Sequence, residues 1–389
     1  DNGAKYMFDC GAGTTHNMVR ANTNPKDVGV VFLTHLHHDH ICDFPLFAIS
    51  GWMYDRPTAP IVLGPKGTKH FCDHLFEGGA YDSDFRARSD YPRRQANLDA
   101  VRPDVREVSP GLAFEDENVK IYCDFVEHIP RDISECFGIR MEAEEKVIAF
   151  SGDTAPCDSM VRLSRDADIL FVRSTLKITS NLLDKTNIKF VGSATSGFDH
   201  INTSYLENNS IDWCYSPGCN SSSVVHYVMA VIETLIAKEL FSGQKSVGII
   251  GYGNIGERLG KTLSAFNISW YANDPFLEDK NLVDLETIFN CDLISIHTPF
   301  TREGEHPTYQ LINKNNIKSL TNKIIINTSR GGIVDEKTLL QGESILYISD
   351  VWENEPKVNE LALKHAYIST PHIAGHSLDG KKGSLIEAC

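Results

Sequence analysis

Among the ten cysteines of this 389-residue chain there is no C-x-x-C pair. Scattered thiols argue against a disulfide framework and for a reducing, cytoplasmic setting. Basic tracts are lacking too: 52 Asp and Glu stand against 37 Lys and Arg, a formal net charge of −15. That balance disfavours a large nucleic-acid surface. No apolar run reaches membrane-spanning length and no signal-peptide pattern occurs, so neither a membrane nor an export route is expected. No Pro/Gly/Ser-rich linker or charge run separates one half from the other. The chain begins at Asp1 and enters a strand almost at once, which reads as a cut N-terminus. What remains is 41% hydrophobic and 23% charged, an ordinary globular composition with room for two or three domains.

The most informative stretch runs from Lys245 to Asp274, KSVGIIGYGNIGERLGKTLSAFNISWYAND. Val247 to Ile250 reads as a buried strand. Gly251, Gly253 and Gly256 then form G-x-G-x-x-G, followed by a helical pattern through Ile255, Leu259, Leu263 and Phe266. A second apolar run, Ile268 to Ala272, leads to Asp274, 23 residues beyond the first glycine. Such glycines let the backbone turn and approach a pyrophosphate at a helix N-terminus, and the acid is placed to bond a ribose 2′-hydroxyl. Dinucleotide binding, with NAD as cofactor, is the expectation.

Further strands follow at Leu293 to His297, Lys323 to Asn327, Leu346 to Val351 and Ala366 to Ser369, alternating with helices. That alternation implies a parallel, doubly wound sheet, whose ligands sit at the carboxyl ends of the strands. Arg330, Glu355 and His372 all lie just past strand ends. A guanidinium grips a carboxylate bidentately, a histidine takes a hydroxyl proton, and a carboxylate beside it orients the ring. Each alone is an ordinary loop residue; together, after a dinucleotide fold, they suit oxidation of a 2-hydroxy acid. Upstream, Ile169 to Arg173, Lys189 to Val191 and Asp212 to Tyr215 read as strands, and Val224 to Leu240 as a helix.

The first part carries different chemistry. Val28 to Leu33 reads as a buried strand and runs into Thr34-His35-Leu36-His37-His38-Asp39-His40. His35 and His37 point the same way on an extended segment, while Asp39 and His40 follow on a turn. Imidazole and carboxylate together make a ligand set for zinc or a similar ion. Two later strand patterns end at His128 and at Asp153. His128 is placed to complete a three-histidine site and Asp153 to bridge two ions.

These residues carry two resemblances. From about residue 167 onward, VRSTLKI, KFVGSATSGFDHI, SPGCNSSSVVHYV, SDVWENEP and TPHIAGHSLDGK resemble the D-2-hydroxyacid dehydrogenases, and in particular members that take a phosphorylated 2-hydroxy acid. The resemblance implies that Arg330, Glu355 and His372 are catalytic, and that Ser174, Thr195 and His376 contact substrate. It also implies that Asn254, Ile255, Thr298, Thr328, Asp350 and Gly375 line the NAD site with Asp274 and the glycines. A homodimer is implied as well, although the family's dimerisation domain has no counterpart here.

Up to about Ile169, the H-x-H-x-D-H run with Phe8-Asp9-Cys10-Gly11-Ala12-Gly13-Thr14 and Gly64-Pro65-Lys66-Gly67-Thr68 resembles the metallo-β-lactamase superfamily, in its ribonuclease Z and arylsulfatase-like branch. That implies one or two zinc ions and hydrolysis of an ester or phosphodiester. His35, His37 and His128 would hold one ion, Asp39 and His40 would serve the other, Asp153 would bridge, and Asp9 would support the loop.

The expected fold class is α/β. A partial metallo-β-lactamase-like αββα domain over residues 1–168 precedes a partial flavodoxin-like substrate lobe, 169–219 with 372–389, and a Rossmann NAD-binding domain over 220–371. The two patterns change between Arg165 and Ser174. Each lacks elements there, which predicts a join of two truncated halves, inactive if neither completes its core. A strand given by each half to the other would contradict that prediction.

Overall fold

A computed structural model describes residues 3–90, 98–173, 176–184, 186–279, 281–341, 344–355 and 357–376. Two compact units part between Ser216 and Pro217. Among the described residues no helix is long and apolar enough to cross a membrane.

The first unit holds two sheets. One is wholly parallel, in the order β1 (Lys5–Phe8), β2 (Val28–Phe32), β3 (Ile61–Gly64), β4 (Asp104–Glu107). The other has seven strands in reverse chain order: β5 (Gly111–Glu115), β6 (Val119–Phe125), β7 (Phe137–Ala143), β8 (Lys146–Phe150), β9 (Ile169–Val172), β10 (Phe190–Ser193) and β11 (Asp212–Tyr215). It is an antiparallel meander as far as β8 and parallel beyond it.

Alternation along the strands sets the layers. Val30, Phe32 and Leu63 from the first sheet meet Phe114, Ile121, Phe137 and Ile139 from the second. The opposite face of the first sheet, through Val31, Leu33 and Val62, packs on Phe44, Phe47, Phe76 and Phe85 of three helices, Phe44–Met53, Thr68–Phe76 and Asp82–Ser89. The opposite face of the second sheet, through Ala149, Leu170 and Val191, takes Met160, Leu163, Leu183 and Leu206 from the helices Asp158–Ser164, Ser180–Leu183 and Thr203–Asn208. The layering is helix, sheet, sheet, helix. Each such side chain contributes about 1.5–3 kcal/mol when fully buried.

The boundary read at residues 168/169 falls inside the seven-stranded sheet. β9 pairs in parallel with β8 on one side, Ile148 opposite Ile169 and Phe150 opposite Phe171. On its other side it pairs with β10, Phe190 opposite Ile169 and Ser193 opposite Val172. The two sequence patterns therefore supply each other with partner strands, against the expectation of sheets left incomplete at a join. The physical reason is the composition of β9. Ile-Leu-Phe-Val is apolar on both faces, so it fits any central parallel position, and ladder hydrogen bonds do not depend on which side chains flank them. The segment 169–216, read as part of a substrate lobe, accordingly belongs to the first unit. Residues 372–376 lie in the second unit, and 377–389 lie outside the described residues.

The second unit is a six-stranded parallel sheet in the order β13 (Ser269–Asn273), β12 (Ser246–Ile250), β14 (Leu293–Ile296), β15 (Ile324–Asn327), β16 (Leu346–Ser349), β17 (Ile368–Ser369). Both faces are covered, as a parallel sheet requires. Val247, Ile249, Leu293, Ile324 and Ile326 face Val228, Ile232 and Leu235 of the helix Ser221–Ala237 and Leu259 and Leu263 of the helix Asn254–Ala265. Ile250, Ile294, Ile296, Ile325 and Tyr347 face Ile288, Leu320, Leu339 and Ala362. The chain leaves β12 for β13 on one side and then returns to β14 on the other. The switch point between β12 and β14 is where a ligand crevice opens in such sheets.

Candidate functional site

In the second unit, Gly251 follows β12 with φ +91°, and a side chain there would lie 2.7 Å from the carbonyl oxygen of His297 at the end of β14. A side chain on Gly256 would meet the Gly251 carbonyl oxygen at 2.0 Å. Around Gly253, at the start of the helix Asn254–Ala265, a side chain would meet nothing within 4 Å. Two glycines thus serve chain packing, and the middle one leaves open space beside a helix N-terminus, where a pyrophosphate is stabilised. Gly256→Ala should destabilise the unit by about 1–3 kcal/mol through overpacking. Gly253→Ala should leave its stability within about 0.5 kcal/mol yet weaken NAD binding about tenfold or more, roughly 1.4 kcal/mol. Urea unfolding and calorimetry on both variants check this.

Asp274 reaches the same turn, its carboxylate accepting the Tyr252 backbone N–H at 3.0 Å. The Thr298 hydroxyl, on a residue beside Gly251, and the Asn220 side-chain oxygen, on a residue beside Gly375, are buried without a hydrogen-bond partner. Orphaned polar atoms beside a glycine turn and an acid are what a bound dinucleotide would satisfy, so the residues present fit NAD. Asn254 packs against Gly218, and Gly375 against Asn220. Ile255 packs against the adjoining core. Thr328 is buried, its hydroxyl 3.3 Å from His297 Nδ1. Sequence patterns did not single out His297, which burial pushes down to about 3, so that it stays a neutral ring between Ser295 and Thr328.

Of the proposed catalytic residues, the structure joins two directly. His372 Nδ1 lies 2.8 Å from Glu355 Oε2. Glu355 is held in turn by the Trp352 backbone N–H at 2.5 Å on its other oxygen. Arg330 stands on the loop after β15, where a side chain on Gly331 would collide with the Trp352 carbonyl oxygen at 2.0 Å, so this loop abuts the one bearing Glu355. The buried Glu336 steadies that second loop by accepting the Glu353 backbone N–H at 2.7 Å.

His372 has φ +55°, a left-handed backbone that a non-glycine residue adopts only under constraint. The constraint comes from Asp350, which is 1% exposed. Its carboxylate accepts the Thr370 hydroxyl at 2.6 Å and the backbone N–H groups of Ile373 and Ala374 at 2.8 Å each. Its carbonyl accepts the His372 N–H at 2.8 Å. Tyr227, from the helix Ser221–Ala237, extends the chain by bonding the Thr370 hydroxyl at 2.7 Å. Asp350, expected beside the cofactor, thus organises the loop that presents His372. His376 is exposed on the same loop. Of the remaining substrate contacts, Thr195 lies in the first unit, bonded to Ser193 at 2.7 Å, and Ser174 lies outside the described residues.

In the first unit the strand ends of both sheets bring the histidines together. His35, His37 and His128 each offer one ligand atom within 4.8 Å of the others, and so do His35, His40 and Asp153. His128 Nε2 lies 3.2 Å from His37 Nδ1. Two ligands of one tetrahedral zinc, with Zn–N near 2.05 Å, stand about 3.3 Å apart. The Nε2 atoms of His35 and His40 and Oδ1 of Asp153 are buried without hydrogen-bond partners. Of these, the His35 nitrogen is common to both groups, and its convergence with His37 and His128 fits a metal ion. Asp39 lies at the rim, 3.9 Å from His40 Nε2, and belongs to neither tight group.

Asp9 fixes the assembly. It accepts the Thr34 backbone N–H at 2.7 Å and lies 2.7 Å from His40 Nδ1. A carboxylate behind a ligating histidine sets ring orientation and tautomer. Burial first, then the neighbouring His40, pushes His35 down to about 3, and burial lowers His128. Burial also disfavours charge on His40, but the carboxylates of Asp153 and Asp9 prevail and lift it to about 9. Burial likewise opposes the charge on Asp153, yet His40 and Arg173 hold its carboxyl well below the usual range. Ligation through His40 therefore requires release of a proton, whereas His35 is already neutral.

The matching family models fall one in each unit, whereas the dehydrogenase relatives align over more residues than the second unit holds. Residues 235–374 match the family model described as D-isomer specific 2-hydroxyacid dehydrogenase, NAD binding domain. Residues 1–182 match the one described as Anti-Pycsar protein Apyc1, which runs through β9. The chain is 44% identical over 229 residues to the erythronate-4-phosphate dehydrogenase of Wigglesworthia glossinidia brevipalpis, covering 56% of this chain and 61% of that one. It is 37% identical over 269 residues to that of Ruthia magnifica, covering 68% and 75%. The chain thus spans about three fifths of the length of the first relative. Among solved structures, the NAD-bound 3-phosphoglycerate dehydrogenase of Entamoeba histolytica is 26% identical with a TM-score of 0.52, over 60% of this chain and 80% of that one.

Proposed function

The chain belongs to the D-2-hydroxyacid dehydrogenase family, and from that membership we propose that it oxidises 4-phosphoerythronate to 2-oxo-3-hydroxy-4-phosphobutanoate with NAD. The observation that carries the reading is the His372–Glu355 pair at 2.8 Å, set on a loop past the end of the NAD-binding sheet. Glu355 engages Nδ1 of the ring, which leaves Nε2 to take the proton of the substrate 2-hydroxyl. Arg330 grips the substrate carboxylate through its planar fork. Asp350 holds the turn that presents His372. The site so built would hold NAD, which would supply the acceptor for the hydride released from C2. The test is formation of NADH from 4-phosphoerythronate, beside NAD calorimetry. NADH should form with this acid and much less with one lacking the phosphate. Absence of NAD binding to the folded chain would sink the reading, and binding without turnover would reject the substrate.

A second reading is favoured by the orphaned histidine nitrogens of the first unit: a metal-dependent hydrolase of esters or phosphodiesters, of the metallo-β-lactamase kind. His35, His37 and His128 would hold zinc, with Asp39, His40 and Asp153 beside them. Bound zinc lowers the pKa of a coordinated water towards neutrality. Asp9 keeps the ring of His40 turned towards the site. Purified protein should contain zinc, and a His35→Ala/His37→Ala variant should lose it; metal-free protein after growth with zinc would remove this reading.

A further inference from the structure

We propose that the metal cluster of the first unit takes a single transition-metal ion, at His35, His37 and His128, and that the guanidinium of Arg173 occupies the place of a second cation. The inference rests on the metal-dependent reading of that unit and goes beyond it in fixing the count and adding a residue. Arg173 directly follows β9, and its Nε lies 3.5 Å from Asp153 Oδ1. The other oxygen of Asp153 lies 3.6 Å from His40 Nε2. The carboxylate that would bridge two ions is therefore flanked by basic groups on both sides. Its Oδ1 is buried and makes no hydrogen bond, so the guanidinium acts on it through charge at close range.

A second ion at His35, His40 and Asp153 would sit about 2 Å from the Asp153 oxygen it bound. It would then stand close to a fixed positive charge that solvent screens only in part, Asp153 between them being 15% exposed and Arg173 37%. Arginine cannot relieve that repulsion by losing its proton, as lysine does when buried. The three-histidine group takes its ligands from the ends of β2 and β6 and does not use Asp153 at all. The pocket thus pairs one metal position with one guanidinium. A guanidinium beside a metal ion is a receptor for an oxyanion, because its N–H fork matches two oxygens of a phosphate or carboxylate. The ligand class assigned to the pocket is an anionic ester.

Arg173 sits in sequence within the stretch that matches the dehydrogenase pattern, 20 residues past Asp153. No spacing rule for metal ligands points to it. Continuity of the sheet alone puts it there, since β9 runs beside β8 and the Ser151–Thr154 turn that follows β8 carries Asp153.

The test is the zinc content of the full chain after saturation and dialysis, by mass spectrometry. The unaltered chain should hold one equivalent, and Arg173→Met two. Arg173→Gln, which keeps a polar side chain, should behave as the Met variant does. The arginine side chain is 37% exposed, so both variants should fold, which circular dichroism checks. Two equivalents in the unaltered chain, or one in both variants, would overturn the inference and leave the metal reading standing. No zinc in any of the three would overturn both.

Discussion

Replacing His372 by glutamine should lower kcat for the proposed 2-hydroxy-acid oxidation about 10²- to 10⁴-fold, the range for a lost general base. NAD affinity should stay at its original value, because the ring is bonded to Glu355 and makes no contact with the glycine turn at Gly251–Gly256 among its hydrogen bonds. Glutamine can still bond Glu355 but cannot accept the hydroxyl proton. Glu355→Gln should cost less, since it keeps an acceptor near His372 Nδ1 while removing the charge that stabilises the imidazolium. Steady-state rates with calorimetry separate these outcomes. A His372→Gln enzyme with full kcat would remove the histidine from its role, and one that lost NAD binding would place it in the cofactor site.

A second large effect is expected at Asp350. Asp350→Ala leaves the Thr370 hydroxyl and the N–H groups of Ile373 and Ala374 without their acceptor. Each unmet buried donor costs about 1–3 kcal/mol, so the second unit should lose about 3 kcal/mol or more. The left-handed turn at His372 loses its constraint at the same time, so kcat should fall beyond what the stability change explains. Asp350→Asn should lie between, because its amide keeps one acceptor and turns an NH₂ towards a donor. Unfolding midpoints in urea and kcat on the folded fraction check this pair. An Asp350→Asn protein unchanged in both would refute the positioning role.

Much of the second unit was legible because parallel sheets advertise their sites. Strand ends, glycine turns and an acid at a fixed spacing have a physical link to the ligand, and Gly251, Asp274, Arg330, Glu355 and His372 all stand at such places. Asp350 was legible as a strand-end acid but not as the clamp of the His372 loop. Its three donors lie 20 to 24 residues on, and their direction depends on a backbone turn that sequence does not encode openly. Tyr227 was out of reach altogether, 143 residues from the hydroxyl it bonds.

In the first unit the histidine run pointed to the residues that the fold gathers at the strand ends, His35, His37 and His40 with His128 and Asp153, while the two edge strands β4 and β5 gave no signal. Their residues are mostly exposed, so their hydrophobic alternation is faint. The helix expected from Val224 begins a turn earlier, at Ser221. Three serines make a poor interior pattern but sit well in a first turn, where orphan N–H groups need no apolar partner.

The seven-stranded sheet has a consequence for how this protein comes apart. A gene cut after codon 168 would not yield two independently expressible proteins. The upstream fragment would end on β8 and the downstream one would begin on β9, each with an open row of N–H and C=O groups. Two such fragments would stick to each other or to copies of themselves. Heated as one chain, residues 3–216 should melt in a single cooperative step, because neither side of β9 keeps a finished sheet once the other has gone.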